Sequence, residues 1–344
     1  MKVMFTLNLF KEKEKRKSWK LNKNNFTFID LFAGIGGFRV ALESFGGKCV
    51  FSSEWDKDSQ NTYLKNFKDI PDGDITKINE KTIPDHSVLC AGFPCQAFSI
   101  SGKRLGFKDT RGTLFFDIAR IVKHIKPEIL FLENVKNLTT HNKGKTMKVI
   151  EDSLDELGYN HFSSILKSSD YEIPQARERV YIIGFRKDLN IKKFTFPKIS
   201  NKIITVKDIL EKEPSIKNVY INRPDIKIIK EEKDIIDPKR PFQIGQINNG
   251  GQGERIYSIF ATGITLSAYG GGAASKTGAY LINKKIRKLT PKECARMQGF
   301  PEDFELHEKS NISYKQFGNS VSVPVIKNIF KEIIKTYPVI IKKI

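Results

Sequence analysis

From Phe26 onward the chain alternates short apolar runs with amphipathic stretches. FTFID reads as a strand, LFAGIGG as a glycine turn, FRVALESFG as a helix and KCVFSSEWD as a second strand, together a βαβ unit. Ser87-Val88-Leu89-Cys90-Ala91 is another buried run. Leu114, Ile118, Ile121, Val122 and Ile125 share one helical face, Pro127 ends that helix, and Glu128 to Leu132 reads as the next strand. Met147, Ile150, Leu154 and Leu157 mark a further helix that stops at Gly158. Strands alternating with helices predict an α/β fold with a Rossmann-like, mainly parallel sheet covered on both faces.

After FTFPK, near residue 195, the alternation ends. Nine of the 24 glycines fall between Gly245 and Gly278, with Glu254 as the single acidic residue there. Such a stretch predicts loops of special backbone geometry on a surface suited to an anion. The smaller, mostly β and loop domain is therefore expected at 206–290, after a larger domain at 25–205. Ile326, Ile329, Phe330, Ile333 and Ile334 form an apolar helical stripe, so 291–344 is expected to return to the large domain. Residues 1–24, with the run KEKEKRK, carry mixed charge without apolar periodicity and are expected to form a solvated basic arm.

Composition sharpens this picture. Lys and Arg number 59 against 39 Asp and Glu, a formal charge of +20, which points toward a polyanion such as nucleic acid. The abundance of Ile, Lys and Asn is also what biased codon usage would produce, so charge alone does not decide. The four cysteines, Cys49, Cys90, Cys95 and Cys294, form no CxxC pair and lack zinc-ligand spacing. Reduced thiols, no metal, no membrane span and a cytoplasmic location are the expectations.

Two loops then carry the candidate chemistry. Cys95, in GFPCQAFSISG, follows the apolar run ending at Ala91, and Glu133, in FLENV, closes the run before it. In an open α/β sheet the crevice beyond the carboxyl ends of the strands binds ligands, so a thiol and a carboxylic acid share one edge. The turn DLFAGIGG, with Gly34, Gly36 and Gly37, follows a strand and opens a helix. It is not the dinucleotide fingerprint, because the third glycine would fall at Arg39. Glu54 stands where an acid accepts ribose hydroxyls, Trp55 beside it can stack on a purine, and Asp74 marks a third strand end that can read an adenine amino group. Adenosine without a diphosphate points to S-adenosylmethionine.

DLFAGIGG, GFPCQAFS, ENV, QARER and QFGNSV, in this order, resemble the ordered motifs of the carbon-5 cytosine-specific DNA methyltransferases, from about Phe26 to Lys327. The resemblance implies a catalytic Cys95 whose thiolate adds to carbon 6 of cytosine, with Glu133 acting on ring nitrogen 3 and Arg179 near the carbonyl oxygen. It places Phe32, Glu54, Trp55, Asp74, Pro94, Leu114 and Asn319 around the methyl donor, with core packing the alternative for Phe32 and Leu114. For Asn134, holding the strand end is the favoured role. Because the target base must leave the duplex, Ser101 and Gln252 are expected to fill the gap. Arg177, Arg255, Thr265 and Tyr269 complete the expected DNA contacts, and 206–290 becomes a target-recognition domain.

GGQGERIYS and ITLSAYGGG resemble strings of family members that read 5′-GCGC, which implies that target with the inner cytosine modified. The chain departs from those members in the longer N-terminal arm, at Arg104-Leu105, at Gln246 to Asn249 and at Met297-Gln298. A monomer on double-stranded DNA and a separately acting restriction endonuclease are the implied partners. A tRNA cytosine methyltransferase and a noncatalytic DNA-binding regulator are the competing readings. The recognition strings speak against the first, and the intact cysteine, acid and cofactor motifs against the second.

Overall fold

The computed structural model describes residues 17–21, 25–94 and 114–342. The elements run β1 (Phe26–Leu31), α1 (Gly37–Glu43), β2 (Gly47–Ser53), α2 (Lys57–Phe67), β3 (Val88–Gly92), α3 (Leu114–Ile125), β4 (Ile129–Val135), α4 (Lys145–Glu156), β5 (Tyr159–Lys167) and β6 (Glu178–Arg186). They build a six-stranded sheet of order β2-β1-β3-β4-β6-β5. β2, β1, β3 and β4 are parallel, whereas β6 runs antiparallel to both β4 and β5. The α/β class holds, and the sheet is mixed.

Period-two alternation explains why both faces are covered. Phe28, Val88, Cys90, Ile129, Phe131 and Ile183 enter one core, while Ile29, Leu89, Leu130, Leu132 and Ile182 enter the other. Ile118, Ile121 and Val122 of α3 with Ile150 and Leu154 of α4 close the second core. The first is closed by α1 and by the C-terminal helix, whose expected stripe packs there, with the Phe330 ring 5.0 Å from Phe26.

A second sheet of five strands follows: β7 (Ile226–Ile228), β8 (Gln243–Ile247), β9 (Arg255–Tyr257), β10 (Ala279–Ile282) and β11 (Lys285–Lys288), in the order β11-β10-β9-β8-β7. Ile244, Ile247, Ile256, Ala279 and Ile286 form its small core. α5 (Pro291–Met297), α6 (Ser310–Asn319) and α7 (Val323–Thr336) complete the chain. α5 starts with Thr290 and Glu293 in a reciprocal cap and Pro291 in the first turn. Glu293, fully buried, also takes both terminal nitrogens of Arg287 at 2.7 Å, tying β11 to α5. Among the described residues no helix is long and apolar enough to cross a membrane, and no group of three or more His, Cys, Asp or Glu could hold a metal ion.

The solvated arm expected over 1–24 is corrected where the structure describes it. Trp19 is buried, its ring packing on Phe67 and Phe304 and its Nε1 donating to Glu43. Ser18 donates its backbone N–H and its hydroxyl to the two carboxylate oxygens of Asp303, and Lys17 pairs with Glu305 at 2.8 Å. One aromatic among charges has no periodicity, so the pattern of the sequence could not mark this clasp. Truncating a buried aromatic costs roughly 3–5 kcal/mol. Trp19→Ala is accordingly expected to lower unfolding stability by about that amount in denaturant titration, and a loss below about 1 kcal/mol would show that the clasp contributes little.

Candidate active site

One cavity of about 690 Å³ lies along the carboxyl ends of β1, β2, β3 and β4. That size suits a small-molecule site, which typically spans roughly 300–1,000 Å³. Phe32, Gly34, Gly37, Glu54, Trp55, Asp74, Pro94, Leu114, Glu133, Arg177, Arg179, Tyr269 and Asn319 all line it. Gly36 lies in the same turn, where a built Cβ would run into the Phe67 ring and no side chain fits.

The turn after β1 needs its glycines. Gly34 and Gly36 have φ of +54° and +84°, a left-handed region that costs glycine little. A Cβ built on Gly34 meets no protein atom, so the backbone there borders open space that a ligand can approach. Glu54 is anchored rather than free: its two carboxylate oxygens accept the backbone N–H groups of Gly34 and Asp56, each at 2.8 Å. Burial raises its pKa, while those two hydrogen bonds pull the other way. The remaining lone pairs of a carboxylate so fixed suit ribose hydroxyls. Trp55 stands at the rim, 77% exposed, with a ring face available for stacking. Ser53 Oγ is buried in the same wall without a hydrogen-bond partner among the described residues. This donor set fits an adenosine-bearing ligand.

Asp74 does not close a third strand. The chain makes a single bridge there, Ser53 to Asp72, and Asp74 then caps a short 3₁₀ turn by accepting from the backbone and hydroxyl of Thr76. Those bonds hold its carboxyl below the usual range. Asn319, the last residue of α6, also lines the cavity.

The reacting corner is built by strand direction. Glu133 is the fifth residue of β4 and faces Gly92 of β3 on one side and Tyr181 of β6 on the other. Because β6 is antiparallel, its first residues arrive at the carboxyl edge of β4: Arg179 pairs with Val135 and lies diagonally next to Glu133 on the same face. The Arg179 Nε is 3.3 Å from Glu133 Oε1, yet that oxygen accepts no hydrogen bond from the described residues. Burial raises the Glu133 pKa, partly opposed by the charges of Arg179 and Arg177. The result is a carboxyl group in the cavity wall whose pKa is raised by burial.

Asn134 secures the neighbouring loop. Its Nδ2 donates to the Phe93 carbonyl at 2.8 Å and its Oδ1 accepts from the Val135 N–H, so β4 grips the backbone just before Pro94. Cys95 and Ser101 lie outside the described residues.

The expected DNA residues divide. Arg177 is fully buried and donates to the carbonyls of Gly318 and Ser320 at 3.1 and 2.8 Å, while burial followed by repulsion from Arg179 lowers its pKa to about 10. It supports the turn carrying Asn319 from within the cleft wall, a structural role beside the expected contact with the duplex. Thr265 spends its hydroxyl proton on the Ala176 carbonyl at 2.7 Å, and a phosphate contact through that proton would require this bond to break. Tyr269 is 72% exposed at the cavity rim. Gln252 and Arg255 are exposed, flanking a tight crossing where Gly253 leaves no room for a side chain, its built Cβ falling 2.1 Å from the Gly271 carbonyl oxygen. The sequence reading gave no role to two buried residues, Gln175 of the QARER string and Gln298 of the divergent Met297-Gln298 pair, which hydrogen-bond each other. Each stands among charged residues in sequence, and only the fold shows that it is buried.

The family described as C-5 cytosine-specific DNA methylase matches residues 26–335. The chain is 54% identical over 302 residues to the Type II methyltransferase M.HhaI of Haemophilus parahaemolyticus, covering 88% of this chain and 92% of that protein. It is 43% identical over 330 residues to the Type II methyltransferase M.HpaII of Haemophilus parainfluenzae, covering 91% and 90%. Among solved structures, the S. pombe Dnmt2 methyltransferase shares the fold with a TM-score of 0.66 at 18% identity, covering 90% of this chain and 98% of that one. With the cleft and its carboxyl-edge acid in place, these likenesses agree on one conclusion: the chain belongs to the C-5 cytosine-specific DNA methylases and is a DNA cytosine-5 methyltransferase.

Proposed function

We propose that this enzyme methylates the inner cytosine of 5′-GCGC in duplex DNA through a covalent adduct of Cys95, as the methyltransferase of a Type II restriction-modification system. The observation that carries the catalytic part is the continuity of the cavity from Glu54 and Trp55 to Glu133 and Arg179. A methyl donor and a flipped-out base could meet there. S-adenosylmethionine, when bound, supplies a methyl group made electrophilic by its sulfonium sulfur. Phe32, Glu54, Trp55, Asp74, Pro94, Leu114 and Asn319 would hold it.

Carbon 5 of cytosine is a weak nucleophile. In the proposed sequence the Cys95 thiolate adds to carbon 6, Glu133 donates its proton to ring nitrogen 3, and Arg179 stabilises charge at the carbonyl oxygen. Carbon 5 thereby gains enamine character and can accept the methyl group. Loss of the carbon 5 proton and departure of the thiolate restore the aromatic ring. Asn134 keeps the Cys95 loop against β4 during these steps.

Flipping the base costs a few kcal/mol, which Ser101 and Gln252 would offset by filling the gap in the stack. Arg255 is suited to guanine, whose major-groove edge accepts two hydrogen bonds from one guanidinium. The stretch Gln246 to Asn249 closes the turn behind these residues. Asn248 Nδ2 donates to Glu254, whose backbone carbonyl accepts the Ile247 N–H. The divergent residues thus lie where they support Gln252 and Arg255. Residues 206–290 would form the target-recognition domain. The enzyme would act as a monomer in the cytoplasm, with its endonuclease separate.

Labelled methyl groups are expected to enter duplexes carrying GCGC and not duplexes with one base pair of the site changed. Labelling of another sequence would retain the chemistry and reject the target, while preferential labelling of tRNA would reject DNA as the substrate. Cys95→Ala is expected to abolish transfer while DNA and S-adenosylmethionine still bind, and turnover by this variant would rule out the adduct. Glu133→Gln cannot donate an acidic proton and should slow transfer by about 10²–10⁴-fold. Since burial raises the Glu133 pKa, its proton is lost as pH rises through that raised value. The wild-type rate should therefore show an alkaline limb that Glu133→Gln lacks, and an unchanged limb would assign the titration to another group.

A further inference from the structure

Beneath the cavity floor lies a closed circuit of buried polar side chains on four segments distant in sequence. Gln298, at the end of α5, is fully buried and donates through Nε2 to the carbonyls of Phe317 and Ser320 at 2.7 and 3.2 Å. Its Oε1 accepts from Gln175 Nε2 at 3.1 Å and from the Ser322 hydroxyl at 3.0 Å. Gln175, also fully buried, gives Nε2 to the Met297 carbonyl as well, and its Oε1 accepts the Leu266 N–H at 3.0 Å. One side of the circuit is thus the turn 318–320, which presents Asn319 to the cavity. The other side is the segment 263–268, which leads into Tyr269 at the rim.

The two sides touch directly. A Cβ built on Gly318 would fall 2.2 Å from the Ala268 nitrogen, so the end of α6 and this segment pack backbone against backbone. The chain between Pro174 and Arg177 completes the link, with Gly263 donating to the Pro174 carbonyl, Ala176 donating to the Gly263 carbonyl and Arg177 donating to Gly318 and Ser320. Every amide atom of Gln298 and Gln175 is engaged. In a low-dielectric interior such a network holds one arrangement, because each displaced bond leaves a buried group unsatisfied.

We propose that Gln298 and Gln175 are positioning residues that couple DNA engagement at segment 263–269 to the cofactor turn 318–320, so that duplex and methyl donor each tighten binding of the other. This deepens the proposed function and rests on its placement of DNA and S-adenosylmethionine. Coupling of this kind is reciprocal: whatever factor DNA contributes to cofactor affinity, the cofactor contributes to DNA affinity. Gln298→Met keeps the volume and removes both donors and the acceptor. Gln298 touches neither ligand, so its effect should fall on the coupling and not on either binding site.

The test measures the dissociation constant of S-adenosylhomocysteine with and without a saturating short duplex that the wild-type enzyme methylates. The wild-type chain is expected to bind it at least about 5-fold more tightly in the presence of the duplex, within the usual span of coupling between sites. In Gln298→Met this ratio should fall to within about 2-fold of unity, with each ligand bound alone within about 3-fold of the wild-type affinity. Ser322→Ala, which removes one bond to Gln298 and leaves the packing, should give an intermediate ratio and guards against a Gln298→Met protein that fails to fold. A wild-type ratio in Gln298→Met or Ser322→Ala overturns the proposal, as does a wild-type ratio of one. Those results leave the methyltransferase reading intact, whereas a wild-type protein that methylates no duplex overturns both.

Discussion

Glu133 and Arg179 meet because β6 runs against β4. Had β6 continued the parallel order, its first residues would lie at the opposite edge of the sheet, and Glu133 would be buried without a nearby cation. The reversal brings a guanidinium to a carboxyl at the edge where the ends of β1, β2 and β3 already line the cavity. It also fixes the electrostatics of the corner. Burial pushes Glu133 toward its neutral form, and the arginines limit that shift without cancelling it. A fully exposed carboxyl would remain an anion and could not give a proton to cytosine at neutral pH.

Around this corner the protein uses buried polar groups to hold loops that the sheet alone would leave free. Asn134 grips the backbone before Cys95, Glu54 clasps the turn at Gly34, and Arg177 supports the turn at Asn319. Each of these side chains satisfies backbone groups beside a residue proposed to act, so the site is held by hydrogen bonds made before any ligand arrives. The same economy joins the second sheet to the first, through Gln175 and Gln298 beneath the cleft and through the buried Arg287 and Glu293 pair behind it.

Much of this was legible in the sequence. Strand and helix periods located the elements of the large sheet, the glycine turn and Glu54 fell at the ends of β1 and β2, and Glu133 fell near the end of β4. Those features are local, carried by residues within one turn or one strand of each other. What the sequence concealed is set by contacts between distant segments. Strand direction at β6 depends on how the chain returns after α4, and no local pattern records it. Asp74 was read as a strand end because Gly73-Asp74-Ile75 resembles one, while the backbone makes only a single bridge there before turning. Arg177 and Arg179 are alike in sequence and two residues apart, yet Arg177, just before β6, donates to the carbonyls of Gly318 and Ser320, while Arg179, within β6, lies beside Glu133. Trp19 sits among charges and is buried by Phe67 and Phe304, which lie far along the chain.

Cytosine is proposed to be activated at this edge by covalent addition of Cys95 while Glu133 assists from the ring nitrogen side. A duplex with 5-fluorocytosine at the target position tests it directly, because a fluorine at carbon 5 cannot leave as a proton does and the adduct should persist after methyl transfer. Mass spectrometry of the digested complex should find the modified nucleotide on the peptide containing Cys95, and only when S-adenosylmethionine is present. A trapped nucleotide on a different residue, or ordinary cytosine turnover with no trapped peptide, would contradict the account.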